Sequence, residues 1–164
     1  MKKYLLIVII LLAAFLRLYR LSDIPPGVNR DEAAIGYTAY SLMMTGKDEY
    51  GKSLPLSFES FGDWKLPLYI YTTIPFVKVF GLSELSVRLP SALAGTVTVA
   101  ALYYLSLLLF SSQTVALTAA GVLAFSPWHI HISRVESEAI VAVMLSVLGL
   151  LTFLHSLKKR SLPW

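Results

Sequence analysis

The sequence predicts an all-α, polytopic membrane protein, and three observations carry that prediction. Apolar residues make up 56% of the chain and the mean hydropathy is +0.67, above the roughly 45–50% apolar share of soluble domains. Those residues come in long blocks. Basic clusters, Lys2-Lys3 and Lys158-Lys159-Arg160, flank the first and last of them. The expected architecture is about four transmembrane helices, with juxtamembrane interfacial helices in a large first external loop. With no cysteine in the chain, disulfides, zinc thiolates and thiol nucleophiles are excluded. A dispersed net charge of +4 gives no footprint for nucleic acid.

The first expected span is residues 4–19. Its basic start resembles a signal peptide, but Arg17 and Arg20 follow where small residues would mark cleavage, so a retained anchor is expected. Residues 89–110 form the second span, long enough to cross about 30 Å of hydrocarbon. Residues 113–128 form the third, ending at Pro127-Trp128, and residues 137–157 the fourth. The stretch 66–82 is apolar but short, and it contains Pro67, Pro75 and Lys78. It is expected to lie in the interface instead of crossing. Four crossings put both basic ends on one side, which the positive-inside rule makes cytoplasmic. The loop of residues 20–88 is then external, because long loops translocate largely regardless of charge.

That loop opens on Ile24-Pro25-Pro26-Gly27, a helix-breaking turn. Asn29 and Glu32 then have the spacing of a capping box, predicting an interfacial helix over residues 30–45 that Gly46 ends. Asp31-Glu32 opens this helix. Acidic residues in a first turn complement the helix dipole by about 0.3–1 kcal/mol. A carboxylate at a membrane mouth also suits a general base that deprotonates an attacking hydroxyl or amine. The two readings are compatible. Lys65 and Arg134 fit interfacial snorkelling, and equally a clamp on a phosphate leaving group. The loop after the third span carries Arg134, Glu136 and Glu138, so the topology gathers Asp31, Glu32, Lys65, Arg134 and Glu136 on one face. His129 and His131 alternate with Glu136 nearby, so a divalent-metal site is conceivable, but two histidines fall short of a full ligand set and none is expected.

Three runs, NRDEAAIGYTAYSLMMTGKDEYGKSLPLSFESFGDWKLPLYIY (29–71), VRLPSALAGT (87–96) and SPWHIHISRVESEA (126–139), together resemble the N-terminal part of the GT-C membrane glycosyltransferases. The similarity is to the dolichyl-phosphate-mannose protein mannosyltransferase and aminoarabinose transferase superfamily, over roughly residues 15–150. The ordered set DE, W-K-x-P-L-Y, R-L-P-S-A and S-R-x-x-x-E-A carries it. Leu66 stands where the family commonly has the first of two prolines. The resemblance implies inverting transfer of a sugar from a polyprenyl-phosphate donor to a protein, lipid or glycan acceptor on the non-cytoplasmic face of the cell membrane. It makes Asp31, with Glu32 beside it, the base, Lys65 and Arg134 the donor-phosphate residues, and Glu136 or Glu138 the second acidic group. Family members are several times longer, so the chain is expected to be an N-terminal part that is inactive alone. The competing expectation is a non-catalytic membrane subunit that binds lipid phosphate, or partner helices through Ser91, Ala92, Ala94 and Gly95.

Overall fold

The computed structural model describes residues 2–159; Met1 and residues 160–164, including Arg160 of the C-terminal basic cluster, lie outside the described residues. In order the elements are α1 (Lys2–Leu18), α2 (Arg30–Thr45), β1 (Phe58–Ser60), β2 (Asp63–Lys65), α3 (Pro67–Phe80), α4 (Glu84–Phe110), α5 (Gln113–Phe125), α6 (Pro127–Ser133) and α7 (Glu138–Lys159). The helix α4 packs against all six other helices and organises the fold.

The helix expected over 30–45 forms as α2 for the reasons its sequence gives. Asn29 Oδ1 accepts from the Glu32 amide at 2.7 Å, and Glu32 Oε2 accepts from the Asn29 amide at 3.1 Å. Gly46 closes the helix at φ 71°, a conformation glycine adopts without steric cost. The helix α3 starts on Pro67, where a missing amide is harmless, and buries Tyr69, Ile70, Thr73 and Val77.

Three expectations need correction. The fold is not purely helical, because β1 and β2 form an antiparallel hairpin pairing Phe58 with Lys65 and Ser60 with Asp63. Its turn residues Phe61 and Gly62 both have positive φ, as tight hairpin turns require. The second span starts at Glu84, not 89, so Arg88 and Pro90 lie inside α4. The third expected span breaks after Phe125: α5 bends by 59° into α6, because Ser126 caps a new helix whose first residue is Pro127. By length and composition, α4 and α7 can cross a membrane, and α5–α6 adds a third crossing if the bent pair spans as one. The remaining expected span, α1, has 17 residues, about 26 Å at 1.5 Å per residue.

Two apolar cores flank α4. One joins α2, β1, α3 and α7 to it through Ile35, Ala39, Phe58, Ile70, Val87 and Ile140. The other joins α1 and α5 to it through Leu6, Ile9, Val99, Leu117 and Ala120. The stripe Ser91, Ala92, Ala94 and Gly95 is buried inside the chain, which corrects its expected role as a face for partner helices. A Cβ on Gly95 would come within 2.6 Å of the Ser133 Cβ. Glycine is what lets α6 seat against α4.

Candidate active site

The site is assembled where α2, β2, α4 and α7 meet at one end of the bundle. Asp31 and Glu32 are neighbours in the first turn of α2, so they point in different directions, and the structure gives them different work. Glu32 turns inward and is 2% exposed. Its Oε1 meets Arg88 Nε at 2.7 Å and its Oε2 meets Arg88 Nη2 at 3.0 Å. The Asn29 and Glu136 amides also donate to it, at 3.1 and 3.3 Å. Burial pushes the Glu32 carboxyl up, but the Arg88 hydrogen bonds and these amides outweigh it and hold it below the ordinary glutamate range. These contacts favour its ionised form.

Asp31 faces outward, its side chain 40% exposed, and pairs with Lys65 Nζ at 3.1 Å. Lys65 arrives on the last residue of β2 with its side chain 14% exposed, and it also reaches Asp63 at 3.5 Å. Alternation along the strand puts Asp63 and Lys65 on one face and Trp64 on the other. Burial opposes the ammonium, yet Asp31 and Asp63 together raise its pKa above the usual lysine range, so the charge is fixed. The chain leaving Lys65 is pinned as well, since the Leu66 amide donates to Glu138 Oε1 at 2.9 Å.

Glu136 lies in the short link between α6 and α7. A hydrogen-bonded chain holds that link: the Ser137 amide donates to Ser91 Oγ at 2.9 Å, which lies 2.9 Å from the Tyr69 hydroxyl. The Glu136 carboxyl is pushed up to about 7 by burial first, and then by Glu138, Asp31 and Glu32 against the pull of Lys65. Arg88 is taken by Glu32 and Lys65 by the aspartates, so among the described residues Glu136 has no cation of its own. The site thus holds one carboxylate balanced by a lysine and one carboxyl able to exchange a proton near neutrality, the kind of division of roles that acid–base chemistry uses.

A carboxyl whose folded pKa is raised stabilises the fold most when protonated. Its contribution is present below about 4.5 and is lost as pH rises through about 7. Glu136→Gln should therefore flatten the decline in melting temperature between pH 5 and pH 8. Equal pH slopes for variant and wild type would show that Glu136 is not perturbed.

Arg134 is not brought to this pair. Its guanidinium donates to the carbonyls of Leu16, Tyr19, Arg20 and Ile24, the first two at 2.7 Å, so it caps the C-terminal end of α1. Among the described residues it makes no ion pair with Asp31 or Glu136. His129 is 7% exposed and its Nδ1 sits 2.9 Å from Arg17 Nη2. Among the described residues no group of three or more His, Asp or Glu is arranged to hold a metal. The residue the sequence reading passed over is Arg88, fully buried. It is an arginine one turn inside an apolar helix, and such residues are rare enough in spans to be a signal in themselves.

No curated protein and no solved structure matches the chain. A family model described as dolichyl-phosphate-mannose-protein mannosyltransferase matches residues 65–164, from Lys65 through Arg88 and Glu136 onward and thus more than half of the chain, with Asp31 and Glu32 ahead of its start. The chain belongs to the dolichyl-phosphate-mannose-protein mannosyltransferase family.

Proposed function

We propose that the chain carries the base and donor-phosphate residues of an integral-membrane glycosyltransferase of the GT-C type. It moves a sugar from a polyprenyl-phosphate donor to a protein, lipid or glycan acceptor on the non-cytoplasmic face of the cell membrane. The observation that supports this reading best is the Asp31–Lys65 pair at 3.1 Å, a base candidate and a fixed cation held together beside Glu136. In the reaction, Asp31 accepts the proton of the acceptor hydroxyl as its oxygen attacks the anomeric carbon. The bond from that carbon to the carrier phosphate breaks, and its electron pair leaves on the phosphate, with inversion at the sugar. An ammonium has three donors, so Lys65 can hold the phosphate while keeping Asp31 oriented. Glu136 serves as the second, acceptor-side carboxylate. Glu32, Arg88 and Arg134 position these groups.

Membranes containing these residues within a full-length member of the family should transfer labelled sugar from a polyprenyl-phosphate donor and not from a nucleotide sugar. Lys65→Gln removes a charge-assisted hydrogen bond worth about 1.5–3 kcal/mol. It should therefore raise the donor concentration for half-maximal transfer by roughly 10- to 150-fold. Transfer that needs no lipid-linked donor, or a Lys65→Gln variant with unchanged donor dependence, would overturn the reading.

A further inference from the structure

A cavity lies at the other end of the molecule. The helices α4 and α7 both begin with a glutamate beside the candidate site and run away from it together. At 1.5 Å per residue their last turns lie about 30 Å off. There they part, leaving about 710 Å³ between Tyr104, Leu107 and Leu108 on α4 and Leu151, His155 and Lys158 on α7. Three leucines and Tyr104 make the apolar wall, and the rim is polar. Thr152 and Ser156 also face this space, but their hydroxyls donate to their own helix, to Leu148 and Phe153 carbonyls at 2.9 and 2.7 Å. On α7 that leaves His155 and Lys158 as donors to this space, and spacing of three residues puts them on one side of the helix.

Charge singles out the occupant. All ten acidic residues fall between Asp23 and Glu138, and none lies on the terminal turns that frame this cavity. Arg134 ties the C-terminal end of α1 to the site face, so Lys2 and Lys3 at its start belong to the far end with Lys158 and Lys159. A cationic rim above a leucine-lined cleft matches a phosphate above an acyl chain. A neighbouring helix would fill the cleft but leave Lys158 without a counter-charge. Basic pockets between membrane helices commonly hold anionic headgroups.

We propose that the parted ends of α4 and α7 form a binding site for one anionic glycerophospholipid, drawn from the leaflet opposite the candidate active site. Lys158 and His155 hold its phosphate, and Leu107, Leu108 and Leu151 line its acyl chain. The lipid wedges the two helices whose other ends carry Arg88 and Glu138. This site stands independently of the proposed transferase reaction.

The test reconstitutes the full chain in nanodiscs of phosphatidylcholine with a minority of phosphatidylglycerol, and reads co-retained lipid by native mass spectrometry. Phosphatidylglycerol should be retained over phosphatidylcholine by about 5-fold or more for each basic group engaged, less at high salt. His155→Gln with Lys158→Gln should abolish that preference. Leu108→Trp, which fills the cleft, should lower retention of both lipids with helix content unchanged. Equal retention of the two lipids, a preference that survives the double variant, or a cross-link from position 108 to a second copy of the chain would overturn the proposal.

Discussion

Arg88→Met is expected to cost the fold about 3–5 kcal/mol, the usual penalty for breaking a buried ion pair from one side. Every guanidinium N–H is in use. Nε and one Nη2 hydrogen serve Glu32, Nη1 serves the Leu21 and Pro25 carbonyls at 3.1 and 2.9 Å, and the second Nη2 hydrogen serves Gly27 at 2.5 Å. One side chain therefore ties the loop before α2 to the second turn of α4. Methionine leaves Glu32 charged and buried with no cation, and leaves three carbonyls short of a donor. Removing the stranded charge as well, in Glu32→Gln with Arg88→Met, should recover part of the loss, and the non-additivity measures the pair itself. Arg88→Lys should recover less than the geometry suggests, because an ammonium cannot reproduce a fork across five acceptors. Melting in detergent micelles with purified variants checks this. A single variant within about 1 kcal/mol of wild type would show that the pair is not structural.

The parts of this fold legible in the sequence are those set by local chemistry. The box of Asn29 and Glu32 and the stop at Gly46 place α2 at Arg30–Thr45, where the spacing predicts it, and α7 falls within two residues of its expected ends. The hairpin is invisible to periodicity because each strand has three residues, too few for alternation to register. The break between α5 and α6 is written in Ser126-Pro127, a cap followed by a helix-starting proline. In an apolar run that pair reads as the end of a span, and only packing of α6 against α4 through Gly95 and Ser133 shows that a second helix follows. The gathering of Asp31, Lys65 and Glu136 follows from topology, since all three sit on segments that meet at one end of the bundle. What topology cannot assign is which charge meets which. Arg88, Lys65 and Arg134 are interchangeable at the level of sequence. In three dimensions they serve a buried carboxylate, an outward aspartate and a helix end respectively.

Asp31→Asn is expected to lower sugar transfer by about 100- to 10,000-fold, the range for loss of a general base, with melting temperature almost unmoved. The two effects separate because Asp31 contributes little to the fold. Its side chain is 40% exposed, and ion pairs at that exposure contribute about 0–1 kcal/mol. The amide keeps the shape and can still accept from Lys65, but it cannot take a proton. Donor affinity should hold too, since Lys65 keeps its position through Asp63 at 3.5 Å and through the Leu66 amide on Glu138. The deficit should therefore sit in kcat and not in the donor KM. Glu136→Gln is the necessary comparison, because a carboxyl held at about 7 is the other group able to take a proton here. With Asp31 as base, Glu136→Gln should produce a smaller loss and alter the pH profile near neutrality. Collapse in Glu136→Gln with Asp31→Asn retaining transfer to within about 10-fold would move the base to Glu136. Asp31 would then be left as the anchor that holds Lys65 in place for the phosphate.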